Sequence, residues 1–207
     1  MHVNKSNRLA DVTKLFRYKE ERDVAKANAI RIYAKQSASG KVDFICRNYP
    51  NFIGIVDGYT EGLKYMIEEE KALTARNAVG DTGVRVQKSG LSDPTAKKAI
   101  NNVITRDAII ACDFSGGVLD GVQDPDRYMR DADILKQMRK HYALFNEQMK
   151  SLQKNEYDFF LAYLLREKKL IELADEEGIG YDSLCQKANK TKKKVKVLMV
   201  GFLEGEY

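Results

Sequence analysis

Six lysines and one acid, Asp182, lie between Tyr181 and Val200, a local net charge of +5. Clustered lysine on one helix is the footprint of phosphate binding, and equally the signature of a solvated face, so the surrounding pattern has to decide between them. Other residue types that do chemistry are sparse. His2 stands near the start of the sequence and His141 follows Lys140 in a charged stretch, and both read as surface histidines rather than bases or ligands. Cys46, Cys112 and Cys185 are odd in number, far apart and without a C-x-x-C pair, which argues against a disulfide framework or a zinc knuckle. None has a histidine that the sequence can place beside it as a base. The acids Asp120, Asp124, Asp126, Asp131 and Asp133 lack the alternating ligands, central glycine and terminal glutamate of a calcium loop. The run Gly80 to Gly90 is glycine-rich, yet no glycine precedes Lys88 as a phosphate-cradling P-loop requires. The expectation is a protein that is not an enzyme and needs no cofactor or metal.

The elements that must position the lysines are helices. Asp11 to about Ala38 has no glycine or proline and spaces Val12, Leu15, Phe16, Ala27, Ile30 and Ala34 as a basic amphipathic helix, ended by Ser37-Ala38-Ser39-Gly40. Val42 to Thr60 is broken by Pro50, Gly54 and Gly58 and reads as a short helix or loop; Glu61 to Ala78 reads as a helix. Asp93-Pro94 is a helix start, with proline where no N–H is needed, and that helix runs to about Cys112. After the connector from Ser115 to Pro125, helices are expected over Asp126–Leu152, Tyr157–Leu165, Leu170–Glu177 and from Tyr181 onward. The fold class is all-α: a mainly helical N-terminal region, 1–122, with an irregular segment at 79–92, then a helical C-terminal domain, 123–207.

Within Leu170 to Leu184 the spacing is that of a helix-turn-helix. Two helices crossing steeply want a small residue at their contact and a glycine in the turn, and Ala174 and Gly178 occupy those places. Ile179 and Leu184 plug the angle, while Leu184, Ala188, Thr191, Val195, Leu198 and Phe202 are expected to line the core. Tyr181, Asp182, Ser183, Gln186, Lys187, Asn189 and Lys190 then face outward, with Lys192, Lys193, Lys194 and Lys196 beyond.

The run Gly178-Ile179-Gly180-Tyr181-Asp182-Ser183-Leu184-Cys185-Gln186-Lys187-Ala188-Asn189-Lys190-Thr191-Lys192-Lys193-Lys194-Val195 resembles, without a gap, the recognition-helix signature of sigma-factor region 4. Glu156 to Leu165 resembles the preceding helix of that module, so the likeness covers about residues 140–200. Gly180 stands where a Ser or Thr usually caps the recognition helix, and Lys187 and Lys190 replace arginines. The resemblance implies a helix in the major groove of double-stranded DNA. Gln186 would pair with adenine, and Lys187 or Lys190 would reach guanine as a point charge. Tyr181, Asp182 and Ser183 would meet a phosphate or base edge, and Lys193 and Lys194 would contact the backbone. No tryptophan-containing promoter-melting helix is present, so the chain resembles less a full sigma factor than phage late-gene regulators of the RinA and ArpU type.

Composition agrees with this class. The 207 residues carry 35 basic and 30 acidic side chains, enough apolar residues for a core, and no run long enough to span a bilayer. The polar first residues carry no signal-peptide pattern, so a cytoplasmic location in a bacterial or phage-infected cell is expected. Residues 1–41 hold a net +6 and residues 42–180 a net −4. The basic N-terminal segment is compatible with phosphate contacts, with docking on the acidic middle of the chain, or with RNA polymerase, and the sequence leaves these open. It also leaves open two rivals to a sequence-specific transcription regulator: a DNA-binding phage assembly or packaging protein, and a helical protein-interaction module whose lysines are only solvated.

Overall fold

The computed structural model describes residues 29–79 and 94–205, and all of the regular structure among them is helical. In chain order the helices are α1 (Ala29–Ala34), α2 (Ala38–Asn48), a 3-10 turn (Tyr49–Asn51), α3 (Phe52–Val79), α4 (Pro94–Ala111), α5 (Pro125–Lys150), α6 (Lys154–Leu165), α7 (Leu170–Glu176) and α8 (Tyr181–Glu204). None of the described helices is long and apolar enough to cross a membrane. The expected N-terminal helix enters the described residues only as α1, and its stretch from Asp11 to Asn28 lies outside them, as does the glycine-rich run from Gly80 to Gly90.

Sequence and structure part company between Ala38 and Thr60. Ser37 starts a helix as well as following one: its Oγ accepts the Gly40 N–H at 3.2 Å and caps α2. The expected short helix or loop over Val42 to Thr60 is instead α2, the turn at Pro50, and the first third of a 28-residue α3. Three glycines in α3, Gly54, Gly58 and Gly62, each cost about 1 kcal/mol relative to alanine. The opposite face buries Phe52, Val56, Leu63 and Ile67, each worth about 1.5–3 kcal/mol, so tertiary burial outweighs local propensity.

The other helices follow the sequence pattern closely. Pro94 occupies the first position of α4, and α5 begins one residue ahead of expectation at Pro125, with the Asp124 carboxylate accepting the Arg127 N–H at 3.1 Å. Along α5, Tyr128, Ala132, Leu135, Met138, Phe145 and Met149 form the buried stripe around which the bundle assembles. Polar ties run from it to α3: the Tyr128 hydroxyl donates to Glu70 at 2.7 Å, and Arg139 donates to Asp57 at 2.7 Å and to Thr60 at 3.0 Å. Most of the buried apolar residues make one cluster from Ala29 to Met199, with helices from both sides of residue 122 contributing.

An aromatic group closes the junction of α1, α2, α3 and α5. Phe52 stacks on Tyr142 with centroids 4.9 Å apart, and Tyr33 meets Phe44 and Phe52 edge-on. His141 belongs to this group, which corrects its reading as a surface histidine: its Nδ1 is 2.8 Å from the Tyr33 hydroxyl. Burial, then the charges of Lys41 and Lys140, hold the imidazole down to about 4. The unfolded chain therefore binds the proton first as pH falls. Stability is full above about pH 6.5 and is lost progressively toward pH 4. Discounted for partial solvent access, the effect amounts to a melting-temperature drop of about 2–4 °C between pH 7 and pH 5. His141→Gln should flatten that drop in a calorimetric scan; an unchanged pH dependence would contradict the assignment.

Candidate nucleic-acid interface

Helix α7 starts with the Lys169 N–H donating to the Glu172 carboxylate at 3.1 Å, and buries Leu173 and Ala174. It ends in a left-handed glycine, Gly178, at φ +64°. The Gly178 N–H donates to the Asp175 carbonyl at 3.1 Å and the Ile179 N–H to the Ala174 carbonyl at 3.0 Å, the pair of bonds that closes a helix with a sharp change of direction. Ile179 is half-buried against the core immediately after the turn. Gly180 then begins α8 with no side-chain cap, so the first amides of that helix lie beside exposed Tyr181, Asp182 and Ser183.

The inner face of α8 is Leu184, Ala188, Thr191, Val195 and Met199. Leu198 and Phe202, expected in the core, are 43% and 45% exposed. The buried step after Val195 is four residues and reaches Met199, which turns Leu198 onto a flank, and Phe202 falls in the last turn. The Thr191 hydroxyl donates to the Lys187 carbonyl at 3.0 Å, which satisfies a polar group inside the apolar stripe.

The lysines divide by helical position into three sets. On one flank Lys192 and Lys196, one turn apart, converge on Asp43 of α2, each 2.7 Å from a different carboxylate oxygen. Burial alone would raise the Asp43 carboxyl, but the two ammonium groups outweigh it and hold it below its ordinary value. On the other flank Lys187 pairs with Glu177 and lies 4.1 Å above the Phe159 ring, and Lys194 pairs with Glu156 of α6 at 2.5 Å. The third set is Lys190 and Lys193, both exposed and without an ion pair among the described residues. Gln186 and Asn189 are exposed with them. Of the eight residues singled out from the sequence, Tyr181, Asp182, Ser183, Gln186, Lys190 and Lys193 thus reach solvent free of internal ion pairs, whereas Lys187 and Lys194 are engaged by the protein's own acids.

The acids that sort the lysines, Asp43, Glu156 and Glu177, escaped sequence reasoning. The four-residue spacing of Lys192 and Lys196 signals a shared partner on one flank, but nothing local points to a residue 153 positions away. Cys46, near the same junction, has its thiol pushed up to about 12, chiefly by burial, so it is held as the thiol. Compared with models of known protein families, with curated proteins and with solved structures, the chain matches none.

Removing the shared carboxylate leaves two half-buried ammonium groups facing each other. Asp43→Asn should therefore lower the unfolding free energy by about 1–3 kcal/mol in urea titration, against at most about 1 kcal/mol for Glu156→Gln at the single pair. Equal losses would show that the shared geometry adds nothing.

Proposed function

We propose that the protein is a sequence-specific DNA-binding transcription regulator of the phage type, in which α7, the turn at Gly178 and α8 act as a sigma region 4-like helix-turn-helix. The observation that carries the reading is the division of lysines on α8. The flanking cations are neutralised by the fold, and the outward strip keeps Gln186, Lys190 and Lys193 together beside an uncapped helix start. A major-groove helix needs such a strip: an amide for a base edge, flanked by point charges that fix its register on the phosphates. Buried Ala174 and left-handed Gly178 support the reading, since the motif wants a small residue at its contact and a glycine in its turn. RNA polymerase is a proposed second partner of such a regulator.

Reversing Lys190 and Lys193 together to glutamate is expected to weaken binding to cognate promoter DNA by about 100-fold and to reduce the slope of log K against log salt by about 2. Lys187→Glu is a poorer test, since it also sets like charges beside Glu177. Gln186→Ala should cost about 1–3 kcal/mol on the cognate site and almost nothing on random duplex. The engagement of Lys187, Lys192, Lys194 and Lys196 inside the chain favours one rival, an interaction module with no DNA partner. That rival predicts shallow salt dependence and no preference among duplex sequences.

A further inference from the structure

A second basic feature lies away from α8. The end of α1, the α2–α3 junction, the glycine-bearing face of α3, the start of α5 and the end of α6 enclose an open cleft of about 1530 Å³. Four arginines line it, each from a different element: Arg31 from α1, Arg47 from α2, Arg127 from α5 and Arg166 just after α6. All four are exposed and none makes an ion pair among the described residues; Asp131 is the one carboxylate lining the cleft with them. The chain pairs other cations readily, as Arg106 does with Glu61 and Arg139 with Asp57. Four guanidinium groups brought to one concavity against a single acid leave a net positive potential there, the condition for holding an anionic ligand. Arginine rather than lysine at every one of these places suits forked, two-point contacts to phosphate oxygens.

The floor of the cleft gives the shape of that ligand. Gly54, Gly58 and Gly62 lie on one stripe of α3, and a Cβ at any of them would meet no atom within 4 Å. Packing within the described residues thus does not require glycine there. Their effect is to leave about 12 Å of helix surface bare beneath the arginine rim. At the edge of this strip Tyr65 is 63% exposed and presents an aromatic face. The bases of a single strand are free to lie on such a surface, whereas those of a duplex are already stacked on one another.

We propose that this cleft binds single-stranded nucleic acid, with Arg31, Arg47, Arg127 and Arg166 on its phosphodiester groups and its bases laid against the bare face of α3 beside Tyr65. The site shares no residue with the outward strip of α8 and stands independently of the duplex-binding reading.

The test is fluorescence anisotropy of the full chain with a labelled oligothymidylate of about a dozen nucleotides. Arg47→Glu with Arg166→Glu should weaken binding at least about 10-fold. Gly58→Leu should weaken it about 5-fold or more by filling the floor, with the melting temperature kept or raised, because leucine favours the helix and its Cβ has open space. Reversal of Lys190 and Lys193 should leave oligothymidylate binding unchanged, which separates this site from α8. Wild-type affinity in either the arginine or the glycine variant overturns the proposal. So does a duplex of equal length that binds as tightly with the same variant dependence. Polyglutamate competing as well as the oligonucleotide would also overturn it, in favour of an acidic peptide.

Discussion

The Asp43 carboxylate, held between Lys192 and Lys196, is the contact on which the disposition of charge in this protein depends. It joins α2, near the start of the described chain, to α8 at its end, at a place where burial works against an ionised acid. Two ammonium groups rather than one reverse that penalty. Together with the Lys194–Glu156 and Lys187–Glu177 pairs on the opposite flank, it matches one rotation of α8 about its own axis. The rotation decides which polar residues look outward: Gln186, Lys190 and Lys193 are what remains after both flanks are committed.

Apolar packing reinforces the same orientation. Leu184, Ala188, Val195 and Met199 complete a cluster that begins at Ala29 and runs along α5, so α8 belongs to the common core. Exposed ion pairs contribute little to stability beside this burial, so the apolar stripe sets the rotation of α8 and the pairs on its flanks are consistent with it.

The helical class, and the boundaries of α4 through α8 to within a few residues, are legible in the sequence because each has a start signal, an apolar period or a glycine stop that agree with one another. Pro94 and Gly178 are examples. The stretch from Ala38 to Thr60 is illegible for the opposite reason: its glycines and proline speak for loop, and only burial of Phe52 and Val56 against distant helices overrules them. In the candidate interface, the turn and the exposed start of α8 are legible, while the sorting of its lysines is not. A lysine looks the same in sequence whether its partner is solvent or an acid more than a hundred residues away. Gly54, Gly58 and Gly62 carry a readable four-residue spacing, but whether such a stripe admits another helix or stands open depends on tertiary placement.

The separation of 153 residues between Asp43 and Lys196 also bears on how the chain is made. While α8 is still inside the ribosome, the earlier helices have emerged with Asp43 lacking both cations and with the core open where Val195 and Met199 will sit. Closing a loop over that span carries an entropic cost that the local contacts of the helices do not. The neutralisation of Lys192 and Lys196 therefore exists only in the closed bundle, so α8 on its own carries a broader positive charge than the finished fold displays.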